Sequence, residues 1–258
     1  MADAIIELRR VEPVTVMTLA DGKANAFDTA MLDAITRTID TVVADGARAL
    51  VITGDGGFFS GGLALPQLID LDRAGVRALM GTLRVAMQRV LEAPIPVVAA
   101  INGNAIAGGC VLALMCDERI MIAHGPKTTP QIGLKEAQLG LGLPSIVLEV
   151  ARARVPVTSH TRVMLEGRLF APADALAAGL VDEVVAPERF EARALERAMA
   201  LAGTEPTAYG QIKRALVRPL VETITRHDEA ESEAWLDTWF SPETQRRLRA
   251  TVARITKK

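Results

Sequence analysis

The sequence is poor in aromatic, cysteine and histidine residues. Only 3% of its 258 residues are aromatic, and it contains two cysteines and three histidines. Cys110 and Cys116 lie in apolar surroundings, so we interpret them as reduced core residues of a cytoplasmic chain rather than as a disulfide. His124, His160 and His227 have no cysteine or carboxylate partner at ligand spacing, so no metal site is predicted.

The sequence also lacks a strong charge of either sign and any long apolar run. Its 29 Lys and Arg residues nearly balance its 31 Asp and Glu residues. Without a basic patch, a nucleic-acid partner is not expected. Apolar stretches end well before the roughly 18 residues of a membrane span, so no membrane partner is expected either. The first residues have neither a signal-peptide nor a transit-peptide pattern, which favours the cytoplasm.

Half of the residues are hydrophobic, which is enough to build one large core. Their spacing alternates between short apolar strands and longer helices, an order that indicates a layered α/β domain. Asp28 is a candidate N-cap for the first helix. From about residue 187 onward the pattern is helical only. The strands are predicted at 4–9, 14–19, 49–53, 97–101 and 119–123, and the clearest helices at 28–43, 73–92 and 108–115.

Two glycine-rich segments, at 56–65 and 102–111, each follow a buried strand, and each is predicted to contain a loop. Glycine permits positive φ angles and lets a ligand approach the backbone. A helix that begins at Gly108 would also present free N–H groups to an anion. Neither segment matches a nucleotide-binding fingerprint. Tight turns and close helix–strand packing would explain the glycines of either segment equally well.

Three stretches together resemble the crotonase (enoyl-CoA hydratase/isomerase) superfamily. They are FFSGGLAL at 58–65, PIPVVAAINGNAIAGGCVLALMCDERIMIA at 94–123 and GRLFAPADALAAGLVDEVVAP at 167–187. The resemblance implies an α/β fold, a crotonase-type spiral of strand–strand–helix units with a C-terminal helical assembly region. It divides the chain into a core domain at 1–190 and a helical trimerisation region at 191–258. Relatives form trimers or pairs of trimers, so a homotrimer or a dimer of trimers is expected.

The resemblance also implies an acyl-CoA thioester substrate, with no cofactor besides the coenzyme A that the substrate carries. In the family, two backbone N–H groups stabilise the oxyanion of a thioester enolate, and these fall on Leu63 and Gly108. The other positions that the resemblance implies for substrate binding are Lys23, Ala24, Ala26, Ser60, Gly61, Gly62, Ala64, Leu65, Gly109 and Val111.

The acid–base residues decide which reaction the family resemblance implies. Enoyl-CoA hydratases use two glutamates, and the first of these falls on Val111, which carries no proton. The second falls on Glu136, within IGLKEAQLG at 132–140. With an aliphatic residue at Val111, the sequence is most similar to 3,2-trans-enoyl-CoA isomerases. Glu136 would then move a proton from C2 to C4 of a 3-enoyl thioester, and Ile132 and Leu139 are expected to raise its pKa by desolvation.

Several alternatives stay open at this point. A specialised hydratase, thioester hydrolysis, decarboxylation or a non-catalytic acyl-CoA-binding scaffold would each fit the fold. Glu136 could also be a solvated loop residue, since Lys135 and Gln138 are polar. Ala64 departs from the acidic residue that often follows the first oxyanion position in the family. Ser60 is not surrounded by the GxSxG pattern of a hydrolase nucleophile.

The C-terminal helices contain a local group of aromatic residues, Trp235, Trp239 and Phe240. In an aromatic-poor chain this grouping predicts a buried contact or a subunit interface. Lys213 and Arg214 lie on the same helical stretch. Either of them is a candidate contact to a coenzyme A phosphate bound by a neighbouring subunit.

Overall fold

The structure is a computed structural model that describes residues 5–125 and 128–256. These residues form strands at Ile6–Val11 (β1), Val14–Leu19 (β2), Ala49–Gly54 (β3), Phe58–Ser60 (β4), Val97–Ile101 (β5), Asn104–Ile106 (β6), Glu118–Ile122 (β7), Ile132–Gly133 (β8) and Glu183–Val185 (β9). The helices are Thr29–Ala44 (α1), Leu65–Leu68 (α2), Arg73–Glu92 (α3), Gly108–Met115 (α4), Glu136–Leu139 (α5), Ser145–Arg154 (α6), Pro172–Ala177 (α7), Pro187–Ala202 (α8), Pro206–Trp239 (α9) and Pro242–Ile255 (α10). A 3-10 turn at Val157–Ser159 and a π-helical turn at Thr161–Leu165 follow α6.

The larger sheet has six strands in the order β1-β2-β3-β5-β7-β9. β1 and β2 are antiparallel, and the remaining neighbours are parallel. Residue 4, where the first strand was predicted to begin, lies outside the described residues. Asn102 joins the carboxyl ends of β3 and β5, because its side chain accepts from the Gly54 N–H (3.1 Å) and donates to the Gly54 carbonyl (2.7 Å). Both glycine segments therefore leave the sheet from the same edge.

Helices α1 and α3 cover one face of this sheet with their apolar sides. Asp28 caps α1, since its side chain accepts a hydrogen bond from the Met31 N–H (2.9 Å), and Asp72 caps α3 through the Gly75 N–H (2.7 Å). The buried residues of α1 recur every three or four positions, which confirms the helical spacing found in the sequence. The two helices pack against each other and enclose the main core.

Helix α8 covers the opposite face of the sheet. Phe190, Ala194, Ala198 and Ala202 recur every four residues and are buried against β2, β3, β5 and β7. Three of the four are alanines, so the helix axis lies close to the strands. Since α8 crosses residue 190, the first part of the predicted C-terminal region packs directly on the sheet.

A second sheet contains three short parallel strands in the order β4-β6-β8. The segments that contain β4 and β6 were predicted as loops, and this was wrong. Each strand has only two or three residues and lies beside glycines, so local sequence carries little strand preference. The pairing arises because β3 and β5 deliver the two segments to adjacent positions.

Helices α9 and α10 pack on other helices of the chain. α9 packs against α3 and α6, while α10 packs against α2 and α5. Trp235 and Trp239 are buried, with ring centroids 5.2 Å apart, so the predicted aromatic contact forms within one chain. Among the described residues, no helix combines the length and the apolar character that crossing a bilayer requires.

Candidate active site

The three strands of the smaller sheet end at the three segments that contain the predicted catalytic groups. β4, β6 and β8 stop two or three residues before Leu63, Gly108 and Glu136. Parallel strands have their carboxyl ends at the same edge of a sheet, where α/β proteins commonly bind ligands. The pairing of β6 with both β4 and β8 therefore places the three segments side by side.

In the first glycine turn, at residues 61–64, the Leu63 N–H makes no hydrogen bond to the neighbouring backbone. The Phe27 N–H donates to the Gly62 carbonyl (2.7 Å), and the Ala64 N–H donates to the Phe27 carbonyl (3.0 Å). This parallel bridge uses both backbone groups of Phe27 and neither of Leu63. The Leu63 carbonyl accepts from Leu65, but the Leu63 N–H donates to no group among the described residues. An unpaired donor at a fixed position is what an oxyanion site requires.

Ser60 and Asn25 fix the shape of this turn through hydrogen bonds. The buried Ser60 hydroxyl donates to the Asn25 carbonyl (2.7 Å) and accepts from the Gly62 N–H (3.2 Å). The Asn25 side chain donates to the Phe58 carbonyl (2.9 Å). The hydroxyl of Ser60 is therefore engaged within the chain, where it supports the turn. Its predicted contact with substrate stays a prediction.

The loop at 21–26, which contains the predicted positions Lys23, Ala24 and Ala26, lies directly beside the first glycine turn. The Gly61 N–H donates to the Ala24 carbonyl (2.8 Å), and the Ala26 N–H donates to the Asp21 carboxylate (3.0 Å). Lys23 is exposed at the outer end of the same loop. These three predicted positions are thus brought together at the rim of the candidate site.

The second glycine segment turns sharply before α4. Ala107 has φ 51° and ψ −115°, a conformation that an L-residue adopts only under constraint, and its N–H is bonded to the Gly133 carbonyl (2.9 Å). The first intrahelical bond of α4 runs from the Val111 N–H to the Ala107 carbonyl (3.0 Å). The N–H groups of Gly108 and the next two residues consequently lack intrahelical acceptors and lie at the positive end of the helix dipole.

The two glycine turns are in direct contact. A Cβ atom on Gly62 would lie 3.0 Å from the Gly108 nitrogen, and one on Gly109 would overlap the Ser60 carbonyl oxygen. A Cβ atom on Gly108 would lie 3.0 Å from the Phe27 ring. Glycine is required at these positions because the backbones approach too closely for a side chain. The Leu63 and Gly108 donors therefore belong to one packed unit.

Glu136 is buried at the start of α5, with 9% of its surface exposed. Its Oε2 atom has no hydrogen-bond partner among the described residues. Burial raises the pKa of Glu136 to about 7. The predicted desolvation is present: Ile132 is fully buried and Leu139 partly so. The alternative of a solvated loop residue is wrong.

Glu136 lies near Cys110, in the first turn of α4. The thiol is fully buried, and its pKa is raised first by that burial and then by the negative charge of Glu136. Cys110 was predicted only as a core residue, without this proximity to Glu136. Nothing in the local sequence indicates it, since residues 110 and 136 are brought together by the pairing of β6 with β8.

Comparison with known proteins gives the family of the chain. The family model described as enoyl-CoA hydratase/isomerase matches residues 9–250. The chain belongs to the enoyl-CoA hydratase/isomerase family. It is therefore an enzyme of the family that the sequence motifs resemble.

Individual relatives carry both names of this family. The human mitochondrial enoyl-CoA delta isomerase 1 is 31% identical over 207 residues, which cover 80% of this chain and 67% of that protein. Among solved structures, a probable enoyl-CoA hydratase from Mycobacterium tuberculosis has a TM-score of 0.84 at 30% identity, covering 92% of this chain and 100% of that one. Human mitochondrial delta3-delta2-enoyl-CoA isomerase has a TM-score of 0.90 at 25% identity, covering 98% and 99%. The predicted crotonase-type fold is confirmed.

The position at which family hydratases are expected to carry their first glutamate is apolar in this member. Val111 is buried in α4, one residue after Cys110. Ala64 is also buried, and Leu65 begins α2 directly after the first turn. Glu136 is thus the carboxyl group predicted for this site, and the structure buries it at the start of α5.

The structure bears on the predictions for Lys213, Arg214 and the histidines. Lys213 is not available to a coenzyme A phosphate, because it is buried and its Nζ atom pairs with the Asp117 carboxylate (2.6 Å) and the Ile95 carbonyl (3.1 Å). Arg214 is exposed. The His160 ring bonds to the Val155 carbonyl (2.9 Å), as expected of a packing histidine. No group of three metal-ligating side chains occurs within the described ranges.

Proposed function

We propose that this family member isomerises 3-enoyl-CoA thioesters to trans-2-enoyl-CoA thioesters, with Glu136 as the single proton shuttle. The observation that carries the proposal is the buried Glu136 carboxyl group, whose Oε2 atom has no partner among the described residues. A buried carboxylate with one unpaired oxygen is costly for the fold, so its presence is best explained by chemistry. The isomerase relatives support the choice of reaction.

The reaction begins with removal of a proton from C2 of the substrate by the Glu136 carboxylate. The thioester and the 3,4-double bond both acidify this proton, because the resulting charge is delocalised over a dienolate. The electron pair of the broken C–H bond shifts towards the thioester oxygen. The N–H groups of Leu63 and Gly108 donate to that oxygen, and each such donor contributes on the order of 3 kcal/mol in comparable sites.

The same carboxyl group then returns its proton to C4. The double bond moves to C2–C3, where it is conjugated with the thioester, and Glu136 is again a carboxylate. A carboxyl group that both accepts and donates a proton works best with a pKa near the working pH. The pKa of about 7 that burial gives Glu136 meets this condition. No water molecule is activated, so a second carboxylate at position 111 is not needed.

The substrate is held by the segments around the two turns. We assign the acyl-CoA contacts to the exposed Lys23, to the backbone of residues 24–26, and to the turns at 60–65 and 108–111. Their location at one edge of the smaller sheet supports this assignment. Coenzyme A enters as part of the substrate, and the chemistry described uses no further cofactor.

A trimer-based assembly is part of the proposal. Several large apolar side chains of the C-terminal half are exposed in the isolated chain, which favours contacts between copies. These residues are Val157, Leu165, Leu176, Ile212 and Leu216. Light scattering coupled to size-exclusion chromatography would support the assembly with a mass of three or six chains, and a monomer would contradict it. The cytoplasmic compartment stays a prediction.

A hydratase is the second candidate, since a relative from Thermus thermophilus, 34% identical over 195 residues, is described as a putative enoyl-CoA hydratase. A spectrophotometric assay distinguishes the two. One cuvette contains 3-enoyl-CoA and reports the conjugated thioester as it forms; the other contains 2-enoyl-CoA and reports its loss by hydration. Isomerisation that disappears in Glu136→Gln, with little hydration, supports the proposal. Hydration faster than isomerisation contradicts it, and acyl-CoA binding without turnover would favour a non-catalytic scaffold.

A further inference from the structure

The loop that contains Glu136 is bonded to the two C-terminal helices at three backbone groups. We name residues 135–143 the acid loop. The Thr244 hydroxyl donates to the Gly140 carbonyl (2.9 Å), and the Arg247 guanidinium donates to the Gln138 carbonyl (3.0 Å). The Gly142 N–H donates to the Thr238 hydroxyl oxygen (3.1 Å). These bonds connect the first half of α10 and the end of α9 to one short segment.

The acid loop has little structure of its own. Its helix, α5, has four residues, fewer than an isolated helix needs for stability. Gly140 ends this helix with φ 85°, and a Cβ atom there would lie 2.7 Å from the Thr244 hydroxyl oxygen. The position of the acid loop therefore depends on contacts from elsewhere in the chain.

The two threonines that bond the acid loop are well oriented for this role. Thr244 is buried, with 2% of its surface exposed, so its hydroxyl is shielded from competing water. The Thr238 hydroxyl donates to the Trp235 carbonyl (2.7 Å), which leaves its oxygen free to accept from the Gly142 N–H. The Gln138 side chain also donates to the carbonyl of Glu166 (3.2 Å), the residue that follows the π-helical turn. The acid loop is thus fixed from two directions.

We propose that Thr238, Thr244 and Arg247 are positioning residues that set the place of the Glu136 carboxyl group through their bonds to the acid loop. The inference rests on the proposed function of Glu136 and extends it to the C-terminal helices. In this arrangement α9 and α10 control proton transfer, in addition to any role in assembly. A small displacement of the carboxyl group slows proton transfer, because donor and acceptor must stay within hydrogen-bond reach.

The variant Arg247→Met tests this with a close control in Arg246→Met. Both arginines pair with Glu243, but only Arg247 reaches the acid loop. Both side chains are substantially exposed, so neither change threatens folding. We expect kcat for 3-enoyl-CoA to fall about tenfold in Arg247→Met with KM nearly unchanged, and both constants to stay at the wild-type level in Arg246→Met. Equal kcat values in the two variants would overturn the proposal.

Thr244→Val provides a second pair, with Thr251→Val as control. Thr251 lies on α10, and no hydrogen bond of its hydroxyl occurs among the described residues. We expect Thr244→Val to lower kcat about tenfold, Thr244→Ser to restore most of it, and Thr251→Val to have no effect. An equal loss in Thr244→Val and Thr251→Val, or no recovery with serine, would contradict a positioning role.

A titration without turnover separates this inference from the proposed function. In protein with ¹³C-labelled glutamate, the carboxyl signal that is missing from Glu136→Gln identifies Glu136. Weakening the acid loop admits water, so the pKa of Glu136 should move below its wild-type value in Arg247→Met and Thr244→Val and stay there in both controls. An unchanged pKa in both test variants would overturn the positioning role even if the wild type isomerises. If the pKa is lowered in the two test variants and the wild-type protein shows no isomerase activity, the positioning role is supported and the proposed reaction is contradicted.

Discussion

Gly62 packs directly against the backbone nitrogen of Gly108. A Cβ atom on Gly62 would lie 3.0 Å from that nitrogen and 2.8 Å from the Ile106 carbonyl oxygen, and Gly62 itself has φ 82°. The first glycine turn thus sets how closely the two proposed oxyanion donors approach each other.

Gly62→Ala should therefore weaken catalysis more than it weakens folding. The added methyl group forces the second turn away, which misplaces the Gly108 N–H and costs up to about 3 kcal/mol of transition-state stabilisation, or roughly a hundredfold in kcat. Gly46→Ala is the matched control, since Gly46 also has positive φ but a Cβ atom there meets nothing within 4 Å. Steady-state kinetics and thermal unfolding of both variants test this. Similar kcat values would contradict a contact role for Gly62.

Glu136→Gln should abolish isomerisation while keeping the substrate bound. The amide cannot accept the C2 proton, and loss of general acid–base catalysis typically lowers rates about 10²- to 10⁴-fold. Glu166→Gln, an exposed carboxylate close to α5, serves as control. Isothermal titration with a saturated acyl-CoA should give similar affinities for all three proteins. Retention of most activity in Glu136→Gln would exclude it as the proton shuttle.

The rate should depend on pH through the ionisation of Glu136. Its carboxylate form is the base, and burial raises its pKa to about 7. We therefore expect kcat/KM to rise with pH through a midpoint near 7 and then to level off. A profile that is already flat from pH 5 upward would mean that the base has an ordinary carboxyl pKa.

Stability should show the opposite dependence on pH. Folding raises the pKa of Glu136 from about 4.5 to about 7, so within this window the folded protein binds more protons than the unfolded chain. The free energy of unfolding then decreases as pH rises through the window, by at most roughly 3 kcal/mol, because each tenfold change in proton affinity corresponds to about 1.4 kcal/mol. Urea unfolding near both ends of the window should show a smaller decrease in Glu136→Gln. An identical decrease would assign the effect to other groups.

Lys213→Met should destabilise the fold and leave catalysis intact. The change leaves the partly buried Asp117 carboxylate without its cation, which typically costs about 3–5 kcal/mol in buried pairs. The KM for acyl-CoA should not change, because Lys213 is buried within the fold. Arg214→Met, at an exposed position of the same helix, should not alter stability. A raised KM in Lys213→Met would mean that Lys213 does contact coenzyme A, contrary to the structure.

The strands of the smaller sheet and the bonds that hold the acid loop were not predicted from the sequence. β4, β6 and β8 have only two or three residues each and lie beside glycines, so none of them has a clear strand pattern in the sequence. The bonds from Thr244 and Arg247 to the acid loop join residues more than a hundred positions apart, and no local pattern reports such contacts. The same is true of the ion pair between Lys213 and Asp117, which removed one candidate ligand contact.

The sequence by itself determined the α/β class, the main strands and helices, the family and the residues proposed for catalysis. These features depend on periodicity, helix capping and motif order, which are local properties of the chain. Only the tertiary structure decided that Glu136 is buried, that Leu63 has a free N–H, and that the two glycine turns touch. Burial and proximity follow from strand pairing and helix packing between distant segments. The raised pKa of Glu136 and the geometry around it therefore exist only in the folded chain.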